Sequence, residues 1–169
     1  MNAENLKDVY ADELKDLWSA NNQMAKVVKV MAEKATDKGL KTTLTNSIDE
    51  ISQHAEALKA LLLDADETAE TEHCKGMEGL VKEATKHITK EAPESGQLLD
   101  IVIMSQYQRM SHYGLAGFGT AAAYAKALGL KKHSAQIEKI VADIHRGDQY
   151  ASTLAEHAEK IASAEEKKQ

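Results

Sequence analysis

Glu50 and His54 are the best local pair of metal-binding side chains in the sequence. The two residues are four positions apart, so on a helix they share one face and flank Ile51. A carboxylate and an imidazole together can bind a transition-metal ion, because the carboxylate offsets part of the cation's charge and the imidazole completes its coordination. The same spacing is also typical of a surface pair joined by a charge-assisted hydrogen bond, so the sequence leaves both interpretations open.

Further side chains of the same chemical types lie on two other helical stretches. These additional candidate metal ligands are His112, Asp143, His145 and Asp148. Together with Glu50 and His54 they could form one site, in which imidazole favours zinc, nickel, copper or iron over magnesium. A polar residue on the seam of a helical bundle, such as Asn21 or Asp148, can instead set the register of packing and bind nothing.

The elements that must position these residues are helices. Apolar residues recur at helical spacing, and residues that favour strands are scarce. The pattern predicts four long helices and one short one, spanning about 5–35, 38–65, 75–91, 95–128 and 131–163. Thr36 or Asp37 can cap the second helix, Pro93 ends the short one, and Gly129 ends the fourth in chain order.

Four long helices with a long middle connection predict an all-α fold. The order of short and long connections indicates a ferritin-like four-helix bundle with a long crossover connection containing a short fifth helix. We expect a single domain over residues 1–169, with 163–169 as a frayed tail. A di-metal site in such a bundle takes carboxylates from all four helices, which is why the polar residues on the apolar stripes matter here.

Composition argues against several classes of partner. The chain carries 21 Lys and Arg against 27 Asp and Glu, for a net charge of -6, and it has no basic stripe that would attract nucleic acid. No apolar run approaches the roughly 20 residues of a membrane span. The N-terminus lacks a basic and then apolar leader, so we expect a cytoplasmic protein without a membrane partner. The single cysteine, Cys74, cannot form an internal disulfide and is expected to be a small buried apolar residue.

A run of glycines interrupts the third long helix. Gly114, Gly117 and Gly119 lie within six residues of one another, and each glycine costs a helix about 1 kcal/mol relative to alanine. Close approach of a neighbouring helix, or of a partner subunit, would compensate for that cost.

Three stretches of the sequence carry a family resemblance. They are DELKDLWSANNQM (12–24), CKGMEGLVKEA (74–84) and SHYGLAGFGTAAAYAKALG (111–129). In this order they resemble the YciF-like ferritin-like proteins, a bacterial stress-associated family with a rubrerythrin-like bundle. The resemblance implies a cytosolic homodimer of helical bundles without an established enzymatic reaction.

The metal positions implied by this resemblance are largely occupied by other residues. The glutamate of the first helix matches Asn21, and the two glutamates of the third long helix match Ser111 and Gly114. Ile144 also stands where the family has an acid. The carboxylates that remain at these positions are Asp49, Glu50, Asp143 and Asp148. With too little negative charge to offset the desolvation of two cations, iron oxidation is not expected.

We therefore predict a non-catalytic, stress-associated protein of structural or binding role, with a degenerate di-metal site and no cofactor. The alternative is a metal-binding protein whose rebuilt His and carboxylate site holds iron or another divalent transition metal and supports oxidase or peroxidase activity. A third alternative is an adaptor that docks a different protein through its acidic face or its glycine-rich helix.

Overall fold

The computed structural model describes residues 3–69 and 72–167, and within them it contains five α-helices and no strand. The helices are α1 (Leu6–Lys34), α2 (Lys38–Asp64), α3 (Lys75–Ile88), α4 (Gly96–Ala127) and α5 (Lys131–Glu166). The predicted all-α bundle, with a short helix in its long middle connection, is confirmed. The single-domain prediction over 1–169 extends to residues 1, 2, 70, 71, 168 and 169, which lie outside the described residues.

Two helix ends differ from the prediction. The short helix α3 ends at Ile88, well before Pro93, because the carbonyl of Lys86 accepts from the backbone N–H groups of Thr89 and Glu91 and turns the chain there. Helix α5 continues to Glu166, beyond the predicted end at 163. Ile161, near the end of α5, is 39% exposed, since it lies at the end of the bundle where α2 and α4 begin.

Contacts at the two ends of the bundle define its topology. At one end the Tyr10 hydroxyl lies 3.0 Å from His133 Nδ1, and His133 Nε2 lies 3.6 Å from an Asp64 carboxylate oxygen. The start of α1, the end of α2 and the start of α5 therefore meet there. Helix α1 packs against α2 and α4, α5 packs against α4 and α2, and α3 packs across α1 and α4. No helix in the described part of the chain is long and apolar enough to cross a bilayer.

At the other end a buried carboxylate joins α4 to the turn between α1 and α2. Asp100 accepts hydrogen bonds from the backbone N–H groups of Thr36 and Asp37 and from the Thr36 hydroxyl, at 2.8, 2.9 and 2.6 Å. Asp37 in turn caps α2 by accepting from the N–H of Leu40. This carboxylate satisfies the donors of the turn residues Thr36 and Asp37, which lie between the two helices.

The core is divided into two apolar clusters by a layer of polar residues. One cluster includes Met24, Ile51 and Met110, and the other includes Leu17, Leu58 and Phe118. Each of the four long helices contributes residues to both clusters, and the residues between its two apolar parts lie at one common level of the bundle. The residues at this level, which we call the polar layer, are Asn21 on α1, Glu50 and His54 on α2, Ser111 and Gly114 on α4, and Asp143 on α5.

The predicted close approach in the glycine run occurs at Gly117. A Cβ atom added there would stand 2.6 Å from Leu17 Cδ2 and 3.0 Å from Glu13 Oε1, so α1 can approach α4 only because this residue has no side chain. At Gly119, on the same helix, an added Cβ would meet no atom within 4 Å.

These two glycines make a matched test of helix packing. We expect Gly119→Ala to stabilise the protein by up to about 1 kcal/mol, since alanine favours a helix more than glycine does. Gly117→Ala should instead destabilise it by about 1–3 kcal/mol, because Leu17 is buried and has to shift. Urea denaturation of both variants measures the difference, and equal effects would contradict the packing described here.

Candidate functional site

The polar layer surrounds a small cavity at the centre of the four long helices. The cavity has a volume of about 30 Å³ and is lined by side chains from α1, α2, α4 and α5. Its apolar wall includes Met24, Ile51 and Met110. Its ionisable lining groups are Glu50, His54, Tyr107 and Asp143, so three of the six residues proposed as metal ligands meet here.

His54 pairs with Asp143 across the bundle. His54 Nε2 lies 3.5 Å from Asp143 Oδ2, and Arg146 donates a hydrogen bond of 2.8 Å to the other carboxylate oxygen. The His54 ring also packs edge-on against Phe118, with ring centroids 6.1 Å apart. A buried imidazole and an exposed guanidinium therefore share one carboxylate. The interpretation of Glu50 and His54 as a surface pair is wrong for His54, which is only 7% exposed.

Burial and charge act in opposite directions on this pair. Burial lowers the pKa of His54 below its ordinary value, and the Asp143 and Glu50 carboxylates offset only part of that effect. Burial raises the pKa of Asp143, but the hydrogen bonds from Arg146 and His54 outweigh it and hold the pKa below its ordinary value. Near neutral pH the arrangement thus favours a neutral imidazole beside an ionised carboxylate.

Neutral residues occupy the layer on α1 and α4. Asn21 is buried, and its Nδ2 atom has no hydrogen-bond partner. The Ser111 hydroxyl donates to the backbone carbonyl of Tyr107 at 3.0 Å, and the Tyr107 hydroxyl lies 2.8 Å from the Ser47 hydroxyl. An amide and hydroxyl groups bring no net charge to the cavity.

This donor set does not fit a di-metal centre. Two divalent cations carry four positive charges, which several carboxylates must offset when water is removed. The layer supplies the carboxylates of Glu50 and Asp143, and Asp143 is already paired with Arg146. Within residues 3–69 and 72–167, no group of three or more His, Cys, Asp or Glu side chains is arranged to hold a metal ion.

The other predicted ligands lie away from the cavity. His112 is exposed on α4, where its Nε2 lies 3.0 Å from Asp148 Oδ2 on α5. Gln108 donates to Asp148 Oδ1 at 3.1 Å, so Asp148 joins the two helices through polar contacts. His145 is exposed on α5. The structure does not bring His112, His145 and Asp148 into one site with Glu50, His54 and Asp143.

A second polar cluster joins the crossover helix to the bundle. The thiol of Cys74 donates to Asp16 Oδ2 at 3.2 Å and lies 3.0 Å from the Tyr113 hydroxyl, which also donates to Asp16 at 3.0 Å. Cys74 caps α3 by accepting from the N–H of Met77. Burial raises the pKa of both the Cys74 thiol and the Tyr113 hydroxyl. We call Asp16, Cys74 and Tyr113 the thiol cluster.

Sequence reasoning did not identify the thiol cluster, although a signal was present. Cys74 is buried as expected, but it is a hydrogen-bonded cap rather than an apolar filler. Each stretch that carries the family resemblance contributes one member of the cluster. The backbone around Cys74 is held as well, because its N–H donates to the Ser19 hydroxyl and its carbonyl accepts from Gln23.

The lowered pKa of His54 predicts a specific loss of stability in mild acid. As the pH falls through about 6.5, the unfolded state binds a proton at this position while the folded state still resists it, so stability falls with pH. We expect His54→Gln to lose less stability than the wild type between about pH 7.5 and about pH 5.5. Urea denaturation at both pH values measures this. His145→Gln, an exposed position on α5, is the control, and an equal pH dependence in all three proteins would refute the assignment.

The thiol cluster predicts that Cys74 is protected from reagents in the folded protein. The side chain is fully buried and burial raises the pKa of its thiol, so a thiol reagent should react only when α3 detaches. Asp16→Ala removes an acceptor of two hydrogen bonds, so it should speed the labelling of native protein roughly tenfold. This factor corresponds to a decrease of about 1.4 kcal/mol in the free energy needed to detach α3. Asp12→Ala, on the same helix, is the control, and fast labelling of wild-type protein would contradict the burial of Cys74.

Comparison with known proteins agrees with this architecture. A model of the family described as a domain of unknown function, DUF892, matches residues 5–167. Protein YciF of Escherichia coli strain K12 is 26% identical over 133 residues, which cover 78% of this chain and 79% of that protein.

Two solved structures share the fold. The E. coli stress protein YciF superposes with a TM-score of 0.87 and 22% identity over 94% of this chain and 99% of that chain. YcfI from Rhodopseudomonas palustris, whose description suggests a structural role, superposes with a TM-score of 0.85 and 24% identity over 90% and 96%. Because the family model spans all five helices, this chain belongs to the DUF892 family of YciF-like proteins.

Proposed function

We propose that this protein is a non-catalytic member of its family, with a structural or binding role in stress physiology and a degenerate di-metal site. The observation that carries the proposal is the neutral lining of the polar layer on α1 and α4, where Asn21, Ser111 and Gly114 stand. Carboxylates then come from α2 and α5 alone. A bundle that lacks acids on two of four helices keeps its fold but not the charge needed for two iron ions.

The relatives support the functional class in this proposal. One is described as a stress protein and another by a structural role, and neither description mentions a reaction. A homodimer in the cytoplasm is the assembly and location that we propose from the family resemblance. Binding of a separate protein partner is compatible with this role and stays a prediction.

A second candidate is a site for one iron or other divalent transition-metal ion. It is favoured by the contact of 3.5 Å between His54 and Asp143 and by the position of Glu50 on the same cavity. One imidazole and two carboxylates are ligand types that such an ion accepts, but the three side chains would have to move together to hold it. His112, His145 and Asp148 would take no part in it.

Metal content and iron oxidation distinguish the two candidates. Protein purified without chelator should hold far less than one equivalent of metal by elemental mass spectrometry, also after incubation with Fe(II), Mn(II) and Zn(II). It should oxidise Fe(II) no faster than the background rate. Near-stoichiometric metal that disappears in Glu50→Ala or Asp143→Ala would overturn the proposal in favour of the single-metal site.

A restored variant provides the positive control. Asn21→Glu combined with Gly114→Glu returns acids to α1 and α4, and a Cβ at Gly114 makes only ordinary contact, 3.6 Å from Ile144. We expect this variant to gain metal under the same conditions, with circular dichroism used to check that it folds.

A further inference from the structure

The side-chain amide of Asn21 lacks a hydrogen-bond partner at the centre of the bundle. Its side chain is only 6% exposed, and among the described residues its Nδ2 is the one buried side-chain nitrogen or oxygen without a hydrogen-bond partner. Leaving such a donor unpaired costs about 1–3 kcal/mol. The neighbouring Asn22 shows how an amide is normally satisfied, since its Nδ2 donates to the carbonyl of Trp18 at 2.8 Å.

The cavity beside Asn21 has the size of a water site. Its volume of about 30 Å³ exceeds the roughly 10–15 Å³ that a single water requires. The lining includes Glu50, whose carboxylate accepts hydrogen bonds, and Ser111, whose hydroxyl oxygen can accept one besides the bond that it donates to Tyr107. A buried water needs two to four polar partners, and this lining offers them.

The chemistry of the lining selects a neutral occupant. The free atom of Asn21 is an N–H donor, so its partner must carry a lone pair, which a cation lacks. An anion is disfavoured, because the carboxylates of Glu50 and Asp143 line the same space. Water accepts from the amide and donates to a carboxylate, so it satisfies both groups.

A surface groove lies next to the cavity. Ser47 and Glu50 line both the cavity and an outer groove of about 510 Å³ between α2 and α5, whose other polar members include Thr43 and Arg146. The cavity and the groove therefore adjoin at these two side chains.

We propose that the cavity is an internal hydration site, in which one water accepts a hydrogen bond from Asn21 Nδ2 and donates to the Glu50 carboxylate. The inference rests on the proposed metal-free function, since the water occupies the level at which a metal site would lie. The water then supplies the missing partner of the Asn21 amide. Asn21 is the residue of the polar layer that binds a neutral molecule in place of a cation.

Crystal structures of the wild type and of Asn21→Leu at about 1.5 Å resolution test the proposal. We expect a single density peak in the wild type, about 2.7–3.2 Å from Asn21 Nδ2, without anomalous signal at the iron, manganese or zinc edges. The peak should be absent in Asn21→Leu and present in Asn22→Leu, the matched control. If Asn21→Leu does not fold, two measurements on the wild type still test the proposal. They are the electron density in its crystal and, in solution, magnetisation transfer from water to the side-chain amide protons of Asn21.

The possible failures are distinguishable. A cavity without density, or a direct hydrogen bond from Asn21 to Glu50, would overturn the hydration site and leave the proposed function intact. A peak with anomalous signal and ligand distances of about 2.0–2.2 Å would reveal a metal ion and overturn both.

Discussion

Polar groups inside this bundle have to find partners within it, and that constraint organises the structure. An unpaired polar atom in a dry interior is costly, and a buried charge more so. The protein meets the constraint in three places by different means. A carboxylate collects three donors at Asp100, a thiol and a phenol share the carboxylate of Asp16, and an imidazole shares Asp143 with Arg146. Each arrangement also joins helices that are distant in sequence.

Under the proposed function, the polar layer is a level of the bundle that carries few charges while the four long helices keep their packing. On α1 and α4 the layer consists of small or amide residues, so the carboxylates that line the cavity are those of Glu50 and Asp143, and Asp143 is paired with Arg146. The two apolar clusters on either side of the layer hold the helices together. Stability in this design comes mainly from apolar packing, and the layer has only to be satisfied.

Much of the fold could be predicted from periodicity, because helical spacing, caps and breaks are local properties of the chain. A close approach within the glycine run was also predicted, because glycines that weaken a helix need a compensating contact, but the sequence did not single out Gly117 or the helix that approaches it. The partners of side chains across the bundle could not be predicted in this way. The spacing of i and i+4 places Glu50 and His54 on one face, but it does not reveal that Asp143 lies opposite His54. His112 and Asp148 likewise proved to be an outer pair. The thiol cluster was missed because its three members are distant in sequence and only the crossover brings them together.

The pattern of helix contacts carries a consequence for how the chain folds. The most extensive packing joins α1 to α2 and α4 to α5, which are neighbours in sequence, whereas α2 and α5 make far fewer contacts. Each pair can form an early helical hairpin with little loss of loop entropy, which is the property of fast-folding helical proteins. The cavity and the thiol cluster both need residues from the two hairpins, so they assemble only at the docking step. We therefore expect the cavity and the thiol cluster to form late, through contacts between residues that are far apart in sequence.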